Sequence, residues 1–390
     1  MLTISQKEWL FGSQGCCAIL LLNLVLFVPC CLAQQAPERF RRLDRNGDNR
    51  LTRDEVTGPV FDELDADHNN SVTVNEAIEW ARRTGNGTGQ RTSSAPAVRP
   101  QPGGISRSQS LWNGFRVERN VAYANTENAH QRLDLFVPES AEAQTRLPIV
   151  IYVHGGGWEG GNRDGGQQFI APILRTRRYA VATIDYRLSG EAIWPAQLHD
   201  CKAAVRWIRA NAKRLGCDGD KIAVLGTSAG GHLAAMLGVT NEEPEFEGSV
   251  GPHVTASSKV SCVIDFYGPS DLVALGSPLG ETPSPISRLL GGSVSRRIDA
   301  ARAASPVHHA SAKSAPFLII HGDRDSTVPL AQSELLHRAL LNADAESYMT
   351  VVINGQHGYF GKPEVDQRCV DFLDRYLLDL ERPIATSPVR

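Results

Sequence analysis

The stretch from Lys221 to His232 constrains this chain more than any other. Ile222-Ala-Val-Leu225 is an apolar run that reads as a short buried strand. It leads into Gly226-Thr-Ser-Ala-Gly230, a G-x-S-x-G pentapeptide, and then into Gly231-His-Leu-Ala-Ala-Met-Leu237, a helix-like run. A strand, a sharp turn and a helix in that order form the context of a nucleophile elbow. The requirement is steric. The serine backbone sits in a strained turn, and its neighbours two residues away must be nearly free of side chain so that strand and helix can pass closely. A glycine-rich turn that merely joins strand to helix is the alternative, and the pentapeptide alone does not separate the two.

The surrounding pattern is α/β. Val117–Tyr123 and Arg132–Pro138 read as an antiparallel pair of edge strands. Leu147–Val153, Tyr179–Asp185, Val260–Tyr267, Ala315–His321 and Ser347–Ile353 read as buried strands, and a helix is expected from about Pro195 to Arg214. Strands alternating with helices imply a doubly wound, mostly parallel sheet covered on both faces.

In such sheets, ligands bind beyond the carboxyl ends of the strands. Four strand ends carry reactive or glycine-rich groups: His154-Gly-Gly-Gly-Trp158, Ser228, His321-Gly-Asp-Arg-Asp325, and Asn354-Gly-Gln-His357. Ser228 is the candidate nucleophile, inert until a base takes its proton. His357 is the candidate base and Asp325 the carboxylate that orients it. The backbone N–H groups of Gly156, Gly157 and Ala229 are the candidate oxyanion donors, because no Cβ at the glycines blocks approach. Asp323 and Asp271 compete with Asp325. His154 and His321 read as structural. Nothing in the spacing of His199, His232, His308 and His309 suggests a metal site. Trp158 and Trp194 could line a substrate pocket or simply pack.

The amino-terminal part differs. Residues 1–33 contain a short apolar core, Cys16 to Val28, closed by Pro29 and followed by Cys31-Leu-Ala33, which reads as a cleaved export signal. The run is too short for a comfortable membrane span, so the expected location is secreted or periplasmic, with a retained anchor as the rival. Export leaves Cys201, Cys217, Cys262 and Cys369, an even set that permits two disulfides or buried thiols.

Residues 38–82 hold two segments, Asp44 to Glu55 and Asp65 to Glu76, that fit a twelve-residue calcium loop. Side-chain oxygens fall at Asp44, Asn46 and Asp48, and at Asp65, Asp67 and Asn69. Backbone carbonyls come from Arg50 and Ser71, position nine is Thr52 or Thr73, and the bidentate carboxylate is Glu55 or Glu76. Leu51 and Val72, both at position eight, are apolar as needed to pair the loops. Both loops resemble EF-hands, with Asn49 and Asn70 where glycine is usual. The expectation is a small all-α paired EF-hand domain with structural Ca2+. Residues 83–110 are rich in Gly, Ser, Thr and Pro and read as a flexible linker. The net charge of −3 gives no reason to expect nucleic acid as a partner.

Residues 111–382 are the expected catalytic domain, and within it residues 115–380 resemble an α/β-hydrolase of the esterase/lipase group with the His-Gly-Gly-Gly motif. Within it, His154-Gly-Gly-Gly-Trp-Glu-Gly-Gly161, Asp185-Tyr-Arg-Leu188 with Trp194-Pro-Ala-Gln197, and Phe266-Tyr-Gly-Pro-Ser-Asp271 look like the feruloyl- and acetylxylan-esterase-like (BD-FAE-like) branch. The resemblance implies Ser228, Asp325 and His357 as a triad, no catalytic cofactor, and a small or polysaccharide-linked ester as substrate. A kynurenine-formamidase-like hydrolase shares a similar oxyanion sequence, and a catalytically silent calcium-dependent adhesion protein is the non-enzymatic alternative.

Overall fold

The computed structural model describes residues 50–52, 61, 64, 71–73, 112–139, 146–241, 243–276 and 283–390. The chain divides into two compact units, Met1–Pro102 and Gly103–Arg390. The expected export signal and linker lie outside the described residues, as do the calcium-loop side chains Asp44, Asn46, Asp48, Glu55, Asp65, Asp67, Asn69 and Glu76.

In the first unit, β1 (Arg50–Leu51) and β2 (Val72–Thr73) pair antiparallel, with Leu51 opposite Val72. Both of these side chains are buried. The two position-eight residues of the expected loops therefore face each other across one short ladder.

The second unit is built on an eight-stranded sheet. Its strands are β3 (Phe115–Ala122), β4 (Arg132–Pro138), β5 (Leu147–Val153), β6 (Ala180–Ile184), β7 (Cys217–Thr227), β8 (Cys262–Phe266), β9 (Phe317–Gly322) and β10 (Ser347–Val352), in the spatial order β10-β9-β8-β7-β5-β6-β4-β3. The six strands from β10 to β6 run parallel, while β4 and β3 are antiparallel additions. Of the expected edge pair, only β3 is an edge. β4 also pairs with β6, and its residues show why: Leu133 and Leu135 are buried in one core and Phe136 in the other, so neither face could meet water.

Side-chain alternation along β5 divides the interior in two. Ile149, Ile151 and Val153 enter one core, with α2 (Ala196–Leu215) and α3 (Ala229–Val239) packed over it. Val150 and Tyr152 enter the other, covered by α1 (Gln167–Thr176) and the C-terminal helix Pro363–Leu377. The chain passes from β6 over β5 to β7, so β5 and β7 flank the point where the winding reverses. The loops after those two strands thus open into the crevice where such sheets bind ligands. Beyond the expected domain end at residue 382, Val389 adds a parallel bridge to Val352. No helix among the described residues is long and apolar enough to cross a membrane.

Cys201, Cys217, Cys262 and Cys369 are free and buried, so neither of the two disulfides that their even number permits is formed. They act as small apolar fillers, two in each core. Burial pushes the Cys217 thiol up to about 12. Iodoacetamide without reductant should leave all four unmodified in the native protein and alkylate all four after denaturation. A disulfide-linked peptide among them would contradict this packing.

Candidate active site

Ser228 stands between the last residue of β7 and the first of α3, at φ 55° and ψ −120°. A non-glycine residue there carries strain on the order of 1–3 kcal/mol, and its neighbours hold it. Its N–H donates to the Phe266 carbonyl at 2.9 Å, and its carbonyl accepts from the His232 N–H at 2.9 Å. The two motif glycines are required by contact rather than by torsion. A Cβ on Gly226 would lie 2.0 Å from the Gly230 carbonyl oxygen, and one on Gly230 would lie 2.1 Å from that of Val153.

His357 arrives from the loop after β10. Its Nε2 lies 2.9 Å from Ser228 Oγ, and its Nδ1 lies 2.6 Å from Asp325 Oδ2. This geometry assigns the tautomer: Nδ1–H donates to the carboxylate, and the Nε2 lone pair faces the serine hydroxyl. Asp325, in the loop after β9, has a fully buried side chain. Its Oδ1 accepts from the N–H groups of Thr327 and Val328 at 2.8 and 2.9 Å. His321 Nε2 approaches its Oδ2 at 3.3 Å while also facing the Val328 carbonyl at 2.8 Å. Burial alone would raise the pKa of Asp325. The hydrogen bonds from His321, Val328 and His357 outweigh it and hold the carboxyl well below the usual carboxylate range.

The loop after β5 lies against the elbow. A Cβ on Gly155 would stand 2.8 Å from the Thr227 carbonyl oxygen and 3.2 Å from Ser228 Cβ. Gly156 and Gly157 follow at φ 116° and 62°, left-handed conformations that glycine adopts freely. Ala229 begins α3, where the first N–H groups of a helix have no intrahelical acceptor.

The competing residues separate clearly. Asp323 is exposed. Asp271 uses its Oδ1 to accept the Ala274 N–H at 2.9 Å. His154 is buried, its pKa lowered by that burial, and it stacks on Tyr186 with ring centroids 4.3 Å apart. Trp158 and Trp194 are both buried and both pack on His232. His309 faces the Ala303 carbonyl. Sequence reasoning missed Tyr267, whose ring centroid lies 4.5 Å from that of His357 and which limits where the imidazole can swing. Its position just beyond a strand end was the available signal.

Fold and site together define the class as that of the α/β-hydrolase esterases. The sequence model of the BD-FAE family matches residues 133–340, and the chain belongs to that family. The probable carboxylic ester hydrolase LipM of Mycobacterium tuberculosis is 29% identical over 259 residues, which are 64% of this chain and 59% of LipM. The chain thus spans less than two thirds of that relative's length. A solved carbohydrate esterase from gut microbiota, a truncated form, is 30% identical at a TM-score of 0.63, over 68% of this chain and 98% of that one. An esterase of the Planctomycetes species Thermogutta terrifontis, solved with propionate bound, is 26% identical at a TM-score of 0.54, over 71% of this chain and 98% of its own.

The depressed pKa of Asp325 has a consequence for stability. Its folded-state value lies below the unfolded value of about 3.9. The ionised carboxylate therefore stabilises the fold above about pH 4, and that contribution is lost as pH falls through the ordinary carboxylate range toward the folded value. Asp325→Asn should destabilise the protein at pH 7 and progressively less below about pH 4. Urea unfolding at several pH values checks this, and an equal penalty at pH 7 and about pH 3 would refute it.

Proposed function

We propose that this protein is an exported serine esterase that removes small acyl groups, acetyl or feruloyl, from polysaccharide through an acyl-enzyme. The observation that carries the reading is the His357 imidazole, 2.9 Å from Ser228 Oγ on one side and 2.6 Å from Asp325 Oδ2 on the other. The Ser228 hydroxyl attacks the ester carbonyl carbon as His357 Nε2 takes its proton. Asp325 keeps Nδ1–H oriented and stabilises the imidazolium. The carbonyl oxygen becomes an oxyanion received by the N–H groups of Gly156, Gly157 and Ala229. Collapse expels the alcohol, which leaves with the proton from His357. Water then attacks the acyl-Ser228 ester by the same proton transfers and releases the carboxylic acid.

Two findings favour this substrate class. The structural neighbour with the TM-score of 0.63 is a carbohydrate esterase, and the Thermogutta terrifontis esterase holds propionate, a short acyl product. Wild-type protein should release a burst of p-nitrophenol from p-nitrophenyl acetate. Ser228→Ala should lower turnover on the order of 10⁶-fold. A panel of acetylxylan, methyl ferulate and p-nitrophenyl esters of rising chain length reads the acyl preference. A folded wild-type protein inert toward all of them would refute the reading.

The first unit, in this proposal, is a calcium module with a structural role. The pairing of Leu51 with Val72 supports it, because that ladder joins the position-eight residues of two twelve-residue loops. Arg50 and Ser71 would offer carbonyls, Thr52 and Thr73 position-nine contacts, and the acidic residues of both loops the charge. The 28-residue linker, if flexible, transmits little strain. Chelation with EGTA should leave kcat/KM of the full chain unchanged, while isothermal titration of the chelated protein with Ca2+ should show binding. A large, reversible loss of activity on chelation would overturn the structural assignment.

A further inference from the structure

We propose that His232 is a positioning residue that holds the oxyanion loop in register with Ser228 through the indole of Trp158. The inference rests on the reading of Ser228 as nucleophile and of the Gly156–Gly157 segment as oxyanion cradle.

Two bonds of the same residue carry it. The His232 backbone N–H donates to the Ser228 carbonyl at 2.9 Å. Its side-chain Nδ1 accepts the Trp158 indole N–H at 3.2 Å. The rings meet edge to face, with centroids 5.1 Å apart and planes at 88°. His232 Nε2 lies 2.6 Å from the Ala304 carbonyl oxygen. A carbonyl can only accept, so the ring carries its proton on Nε2, and Nδ1 is left with the lone pair that the indole needs. The whole chain of bonds is buried, with His232 at 0% and Trp158 at 2% exposure. Burial pushes the His232 pKa down to about 4, so the ring keeps that lone pair near neutrality.

The loop has a reason to need such a tie. Gly156, Gly157 and Trp158 are three successive residues at positive φ, at 116°, 62° and 59°. The first two are glycines and adopt it freely; the third carries a large side chain and does not. The Trp158 carbonyl accepts the Ser189 N–H at 2.7 Å, and its indole N–H reaches His232. Released from the indole bond, Trp158 would relax toward negative φ. That rotation would turn the peptide between Gly157 and Trp158 and, through the Gly157 Cα, displace the adjoining peptide whose N–H belongs to the cradle. Because the partner is a residue on the first turn of α3, the cradle is fixed to the same turn that presents the nucleophile.

Steady-state kinetics on p-nitrophenyl acetate tests this with four variants of the full chain. Trp158→Phe keeps a buried ring and removes only the donor. His232→Leu removes the acceptor. His232→Asn places an amide oxygen near the position of Nδ1. Trp158→Phe and His232→Leu should each lower kcat about 10–100-fold, part of the loss expected when an oxyanion donor is removed. KM should stay within about threefold, since the cradle acts on the transition state. The double variant Trp158→Phe/His232→Leu should be no worse than its weaker single, because both lose one bond. His232→Asn should recover most of kcat. Affinity for a trifluoromethyl ketone, whose hemiketal oxyanion occupies the cradle, should fall in proportion to kcat/KM. Singles within twofold of wild-type kcat, or losses that multiply in the double variant, would overturn the proposal. Should His232→Leu not fold, Trp158→Phe decides alone. A Ser228→Ala control keeps the two readings apart: if it retains wild-type turnover, the nucleophile assignment fails, whereas if it is dead and Trp158→Phe is unimpaired, only the positioning role fails.

Discussion

Everything in the catalytic unit depends on one close passage of backbone, where the first turn of α3 crosses the end of β5. Gly230 has no room for a Cβ because the carbonyl oxygens of Val153 and His154 occupy the space, and Gly226 has none because Gly230 does. This contact sets the height at which Ser228 stands above the sheet. It also brings the glycine loop after β5 alongside, since that loop begins at the residues being crossed. Ser228, the proposed nucleophile, and the glycine loop proposed as its oxyanion cradle are therefore neighbours by construction, and their nearness needs no dedicated binding interaction. Only their fine registration does, which is the part assigned to His232.

The other half of the site is added at a distance in sequence but not in space. β8, β9 and β10 lie in order beside β7, so the loops after β9 and β10 reach the same edge. Asp325 is held by backbone N–H groups of its own loop, and His357 spans from it to the serine. The charge that opposes burial is thus fixed by short-range bonds, which lets an ionised carboxylate sit with no exposed side-chain surface. The imidazole is positioned by Asp325 on one side and by the Tyr267 ring on the other.

Much of this was legible in the residues because it is written in local pattern. Apolar runs ending in glycine or in chemistry-bearing residues give strand ends, and strand ends of a parallel sheet share one edge. That logic places Ser228, Asp325 and His357 at one edge of the sheet, where their side chains meet. What escaped was whatever depends on partners that sequence does not pair. Nothing in Arg132–Pro138 says that β6 will cover its far side, so it read as an edge. Nothing in an even number of cysteines says whether their sulfurs meet. His232 read as a histidine without a metal pattern, since its two partners, Trp158 and Ala304, lie 74 and 72 residues away. The calcium loops were read from ligand spacing, and their carboxylates fall outside the described residues.

The four buried thiols carry a further meaning for what the fold depends on. The described part of the fold contains no covalent cross-link, and its cysteines serve as packing atoms shielded from oxidant. The described packing of the folded hydrolase unit therefore owes nothing to a disulfide, and reductant should leave it intact.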